Sequence, residues 1–233
     1  MAERETALIV GAGRGLSASL ARLFTSEGMA VALAARDPAK LAGLAEGCGA
    51  KAYRCDASEP ADVSALFERL SADLGAPDVV VYNPSARQRG PIAELDPAQV
   101  KDAIMISCYG GFLVGQAAAK AMLAKGGGTI LFTGASASVK GYANSASFAM
   151  GKFGLRGLAQ SMARELAPKN IHVGHFVIDG GIALKPDDPR ADPDRPDAWL
   201  DPDAIAQAYL QVHRQHRSAW TWEIELRPWV ETF

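Results

Sequence analysis

The chain has 233 residues, of which 48% are hydrophobic, and 24 Lys+Arg face 26 Asp+Glu. Charges this close to balance leave no long-range field to draw nucleic acid or an anionic membrane. The opening MAERET carries charges where a signal peptide needs an apolar run, and no apolar stretch approaches the roughly 20 residues of a membrane span, so a cytoplasmic protein is expected.

Cys48, Cys55 and Cys108 are odd in number and far apart, which fits reduced thiols and neither a disulfide framework nor a metal site.

Short apolar runs alternate with longer segments of helical period, the mark of repeated βαβ units around a parallel sheet covered on both faces. In chain order the strands are predicted at 6–10, 30–34, 51–55, 79–82, 129–133, 172–178 and 220–226. Helices are expected between them near 15–27, 38–46, 60–74, 97–124, 144–167 and 203–215. The fourth opens on Asp96-Pro97-Ala98-Gln99, where Asp caps free amides and Pro suits the first helical position. Residues 185–196, KPDDPRADPDRP, are too rich in proline and charge for regular structure, so a mobile surface loop is expected near 183–199. No linker divides the chain, and the fold class that results is a single Rossmann-like domain: a doubly wound α/β sheet of about seven strands.

LIVGAGRGLS at 8–17 passes from an apolar strand into a helix. Glycines there let the backbone approach a pyrophosphate, while the helix N-terminus supplies amides and positive dipole. The spacing is Gly11-x-x-x-Gly15, with Gly13 and Arg14 inside and Leu16 where G-x-G-x-x-G would have its last glycine.

This motif resembles the glycine loop of short-chain dehydrogenases/reductases, with Ser17 for the last glycine and Val10 for the customary threonine. Further landmarks follow at the family's spacing over nearly the whole chain. Asp56 in YRCDAS, followed by Ala57, resembles the adenine-binding aspartate. Asn83 in VVVYNPSA falls where the family has Asn-Asn-Ala-Gly. Lys152 matches the lysine that holds the nicotinamide ribose, and Ile182, in the VIDGGI that replaces the family's Pro-Gly segment, is placed to offer its backbone to the carboxamide. Each has a plain structural alternative as a helix-entry, turn or solvated residue.

The resemblance implies a nicotinamide cofactor, and electrostatics favours NADP(H) over NAD(H). A carboxylate after the second strand would repel a 2′-phosphate; here Ala35 and Arg36 stand there, and Arg14 adds a second guanidinium. The family's catalytic set is Asn-Ser-Tyr-Lys. Phe148 and Lys152 stand four apart on one helix face where Tyr and Lys are expected, so the phenol is missing. Ala135 or Ser136 falls at the serine and Ser107 at the asparagine. Lys152 and Ser136 are thus the candidate catalytic residues, with Tyr109, Tyr142 and Ser147 nearby in register. His172 and His175 are assigned to one face of the sixth strand, as structural histidines or at the pocket mouth, and Asp179 either walls the pocket or turns the chain.

Three functions follow as expectations. The first is an NADP(H)-dependent oxidoreductase acting on a small molecule, with an iminium or conjugated alkene suited to a site that lacks the phenol. The others are a cofactor-binding sensor or partner subunit, and a non-redox lyase or isomerase on the same scaffold. Glycines recur in the helices near 97–124 and 144–167, which implies close helix contact. In relatives those helices pair subunits, so a homodimer or homotetramer is expected, with Trp229 and Phe233 docking on a neighbour or on their own domain.

Overall fold

The computed structural model describes residues 4–184, 188, 190, 194, 195 and 197–231. Seven parallel strands form one sheet in the order β3-β2-β1-β4-β5-β6-β7. They are β1 Thr6–Val10, β2 Ala30–Ala35, β3 Lys51–Arg54, β4 Val79–Tyr82, β5 Gly128–Thr133, β6 Ile171–Ile178 and β7 Glu223–Leu226. The helices are α1 Leu16–Ser26, α2 Ala42–Cys48, α3 Pro60–Leu74, α4 Pro97–Ile104, α5 Gly110–Lys125, α6 Ala146–Leu166 and α7 Pro202–His213.

Alternation along the strands builds a core on each face. β1 sends Ala7 and Ile9 to the side covered by Leu20 and Phe24 of α1 and Tyr209 of α7. Its Leu8 and Val10 go to the side covered by Leu66 of α3, Val114 of α5 and Leu155 of α6. The chain leaves β1 toward β2 in one direction and resumes at β4 in the other. Its ligand crevice therefore opens at the carboxyl ends of β1 and β4, the point where strand order reverses.

Two boundaries depart from expectation. The helix predicted over 97–124 is interrupted by a π-helical turn, Met105–Tyr109, between α4 and α5. That turn swings Ser107 inward, and Tyr82 Oη donates to the carbonyl of Ile106 inside it. The strand predicted over 220–226 begins only at Glu223. Trp220 Nε1 donates to Gln215 O (3.1 Å) and Thr221 N to Gln215 Oε1 (2.8 Å), so these residues are held to the end of α7 instead.

The glycines in the α4–α6 region have a packing reason within the subunit. A Cβ at Gly111 would stand 2.4 Å from Leu155, at Gly151 2.7 Å from Ser107, and at Gly154 2.6 Å from Cys108. Of the loop expected near 183–199, residues 185–187, 189, 191–193 and 196 lie outside the described residues, as does Phe233. Among the described ones there, Asp188 accepts from Leu184 N (2.7 Å) and Arg190 caps the carbonyl of Ile182 (2.7 Å). Trp229 is exposed, and its indole N–H reaches Asp197 (2.9 Å).

Candidate active site

The crevice is a cleft of about 1020 Å³ lined by Gly11, Gly13, Arg14, Arg36, Asp56, Ala57 and Asn83, together with Lys40. The glycine loop is shaped by close approach. Gly11 has φ +77°, and a Cβ there would lie 2.7 Å from the ring of Pro84. At Gly13 a Cβ would meet no protein atom within 4 Å, so a ligand can come directly against this backbone. Gly15 caps α1 with φ 75°, and Leu16, itself buried, starts the helix whose first amides lack intrahelical partners. Phosphate oxygens fit such an end.

Ser17 and Asn83 fasten this loop to β4. Asn83 Nδ2 donates to Ser17 Oγ (2.8 Å), and Ser17 Oγ donates to the Gly11 carbonyl (3.2 Å). One N–H of the Asn83 amide is so engaged, which leaves its oxygen and second N–H to offer a ligand. Asp56 Oδ1 accepts from Ser58 N (3.1 Å) and Ser58 Oγ (2.7 Å). Burial alone would push this carboxyl up; the two Ser58 bonds, with Arg36 and Arg54 nearby, outweigh it and hold it below the usual carboxylate range. Helix entry and ligand contact are therefore compatible roles for Asp56.

Arg36 and Lys40 reach the cleft from the end of β2, and Arg14 from the glycine loop. Two carboxylates share the cleft with them: Asp56, engaged by Ser58, and Asp37, which accepts from Ala39 N (3.2 Å) and lies 3.4 Å from Lys40. A cradle of backbone amides, an acidic group for an adenine and guanidiniums for a phosphate suits a dinucleotide.

At the carboxyl end of β5, among residues that do not themselves line this cleft, the chemistry changes. Lys152 is 2% exposed and donates through Nζ to the carbonyl of Thr133 (2.7 Å) at the end of β5. Burial, and secondarily Arg87, pulls its ammonium down to about 7. Phe148, one turn earlier on α6, has its ring centroid 5.9 Å from Lys152 Nζ. On that ring lies the Arg87 guanidinium, 3.9 Å from the centroid. Ser136 opens a 3₁₀ turn after β5, half-buried, with Ala135 before it in extended conformation. Ser107 and Ser147 are fully buried and bonded to backbone at residues 86 and 88.

Several expected residues are placed elsewhere. Ile182, like Gly15, Leu16 and Lys152, is not among the cleft's lining residues; it packs on the core and bridges to Leu200, with its carbonyl held by Arg190. Tyr109 stacks on Phe112, with centroids 6.0 Å apart, and Tyr142 is exposed beside Lys140. Asp179 is a buried ion-pair centre between Lys140 (3.5 Å) and Arg227 (3.2 Å).

The assignment of His172 and His175 to one face was mistaken. They are three residues apart, and on a strand an odd separation means opposite faces. His172 stacks on Trp220, with centroids 4.7 Å apart, and its Nε2 meets Thr221 O (2.8 Å). His175 lies on the α6 side, bonded through Nδ1 to Glu223 (3.0 Å), which also holds Arg156. Burial takes His175 down to about 4, so it is a neutral structural imidazole at ordinary pH.

Arg87 is the residue that sequence reasoning passed over. The available signal was its position in the loop after the fourth strand, on the ligand edge of a parallel sheet.

Fold and cleft together define a dinucleotide-binding α/β protein. The family model described as short chain dehydrogenase matches residues 5–182, and the chain belongs to this family of oxidoreductases. It is 34% identical over 177 residues to cis-4-hydroxycyclohexanecarboxylate dehydrogenase of Sinomonas cyclohexanicum, covering 74% of this chain and 71% of that one. To the 3-oxoacyl-(acyl-carrier-protein) reductase of Escherichia coli strain K12 it is 28% identical over 196 residues, 81% of this chain and 80% of the other. A short-chain dehydrogenase from Rhodopseudomonas palustris superimposes with TM-score 0.84 at 37% identity, covering 97% and 99% of the two chains. A metagenomic short-chain oxidoreductase in complex with NADP does so with TM-score 0.84 at 27% identity, covering 97% and 98%. Among the described residues no helix is long and apolar enough to cross a membrane, and no metal-ligating cluster is present.

Proposed function

We propose that the chain is an NADP(H)-dependent oxidoreductase whose active site works without a tyrosine phenol. The observation that carries the cofactor preference is the set of Arg14, Arg36 and Lys40 lining the cleft, with Asp37 bound to its own helix-capping turn. A 2′-phosphate supplies the negative charge this set lacks, and guanidinium forks match its oxygens. The neighbour solved with NADP supports this reading. Gly11, Gly13, Gly15 and Leu16 would hold the pyrophosphate, Asp56 and Ala57 the adenine, Asn83 and Lys152 the nicotinamide half. Bound NADPH would supply a hydride to an electrophilic carbon.

On the substrate side, this chain's residues set what that carbon can belong to. A simple ketone leaves an alkoxide that needs an acid at its oxygen. Phe148 has none to give. An iminium carries its positive charge beforehand and becomes a neutral amine, and a conjugated alkene takes its proton at carbon, away from that position. Lys152, with an ammonium near neutrality, can hold the ribose hydroxyls and move a proton at Nζ. Ser136 stands at the family's serine within one residue, as the only hydroxyl of the Ala135-Ser136 pair.

NADPH oxidation measured across carbonyl, enone and imine panels tests this. Turnover of enones or imines that disappears in Lys152→Met supports it; no turnover in any panel favours a cofactor-holding subunit, a second reading motivated by Ser107 and Ser147 being committed to backbone.

Assembly through α4, α5 and α6 belongs to the same proposal. Phe112, Leu123, Met150 and Phe153 on these helices are each at least 40% exposed, an apolar surface that a second copy would cover. Sedimentation showing a dimer or tetramer at micromolar concentration is the expected result, and a strict monomer contradicts it.

A further inference from the structure

We propose that the substrate is a carboxylate and that Arg87 is the residue that recognises it, held flat by Phe148. This rests on the reading of the Phe148–Lys152 face as the reaction site.

The loop leaving β4 is fixed on both sides of Arg87 by serines that come from different elements. Ser107, in the π-helical turn, accepts from Ala86 N (3.0 Å) and donates to Ala86 O (3.2 Å). Ser147, in α6, does the same for Gln88, both bonds at 2.9 Å. Each serine is fully buried. A side chain between two such clamps starts from a set backbone, and Arg87 continues onto the Phe148 ring, 3.9 Å from its centroid. Stacking occupies the faces of a guanidinium and leaves its N–H edges, which lie in plane, available to a ligand.

Among the described residues nothing takes up those edges. Among the described residues Arg87 has no hydrogen bond or carboxylate partner, and its recorded neighbours are the Phe148 ring and the cations Arg89 and Lys152. Arg156 pairs with Glu223, Arg190 with Asp188 and Arg227 with Asp179, whereas Arg87 is without a carboxylate partner among the described residues, as are the cleft arginines Arg14 and Arg36. Partial burial, and then Arg89, pulls the Arg87 guanidinium below its ordinary range, as expected for a cation set beside cations. Ser85 and Ala86 line the dinucleotide cleft and Arg87 is not among its lining residues, while Arg14, Arg36 and Lys40 are the cations proposed above for the cofactor's phosphate.

A single planar fork with two parallel N–H bonds matches a carboxylate. Phe148 then has a function a tyrosine would perform less simply: an unsubstituted ring carries the cation without offering it a competing oxygen. Arg87 cannot give up its proton, so its role is to bind and orient an acid while the hydride acceptor lies elsewhere on the same molecule.

Calorimetric titration of the NADPH-loaded full chain tests this, with acetate, butyrate and cyclohexanecarboxylate each compared with its neutral amide. At least one acid should bind roughly tenfold or more tightly than its amide, the range a charge-assisted bond supplies. Arg87→Gln should erase that preference and Arg87→Lys retain part of it, with NADPH affinity within about twofold throughout, which also reports folding. Equal binding of every acid and amide, or a preference that survives Arg87→Gln, overturns the proposal. The same titrations on the cofactor-free chain separate the two readings. Acid preference in a chain that does not bind NADPH supports the anion site and sinks the cofactor assignment.

Discussion

The two sides of the ligand edge are built from polar groups in opposite states. On the β1–β2 side, cations line open space: Gly13 has no neighbour where a side chain would be, and Arg14, Arg36 and Lys40 border the cleft. On the β4–β5 side, most polar groups are already committed. Ser107 and Ser147 bind backbone, and Lys152 binds Thr133. The first side is prepared for a ligand with many charges of its own. The second offers an aromatic plate and a cation, so on the proposed reading a substrate there would bring its own activation.

The difference should appear most strongly in folding. Gly11→Ala puts a Cβ into Pro84 at a positive φ, joining strain to overlap at the point where the two sides meet. A loss of about 2–4 kcal/mol is expected, read as a melting temperature lower by roughly 5–15 °C, together with loss of nucleotide binding. A smaller, purely electrostatic change follows from Arg36→Ala. NADPH should bind about ten- to a hundredfold more weakly while NADH is unaffected, as for the loss of a hydrogen-bonded charge. Equal weakening of both would mean that Arg36 shapes the cleft and does not read the phosphate.

Lys152 yields a pH signature on the committed side. Its ammonium falls from an ordinary 10.5 to about 7 on folding, so between those values the unfolded chain binds more protons than the folded one. Stability of the cofactor-free protein should therefore rise as pH increases from 7 toward 10, with this group adding a slope of up to about 1.4 kcal/mol per pH unit. In Lys152→Met that contribution should vanish from denaturant unfolding measured across the range. The smallest expected effect is on stability in Phe148→Tyr. One oxygen added beside two cations should leave it within about 1 kcal/mol, while carbonyl reduction should increase over the parent. No gain with any ketone would show that the missing phenol is not what limits the site.

Much of the fold was legible because it rests on local periodicity. Strand alternation places β1 through β6 to within a residue, and Asp96 caps α4 through Ala98 as its sequence implies. The glycine loop, Asp56 and Asn83 meet in one cleft because they follow β1, β3 and β4 at the carboxyl edge of one parallel sheet. What sequence did not carry depends on contacts between distant residues. The start of β7 is decided by Gln215 holding Trp220 and Thr221. The break at Met105–Tyr109 is accompanied by Ser107 engaging Ala86, 21 residues earlier. Arg87 on Phe148 joins residues 61 positions apart, and neither residue's identity announces the other.

The central claim is that the cations beside β2 read a 2′-phosphate. Dissociation constants for NADPH and NADH, measured by fluorescence titration on the same preparation at one ionic strength, test it most directly. The account predicts NADPH tighter by about tenfold or more; equal affinities, or tighter NADH, would contradict it.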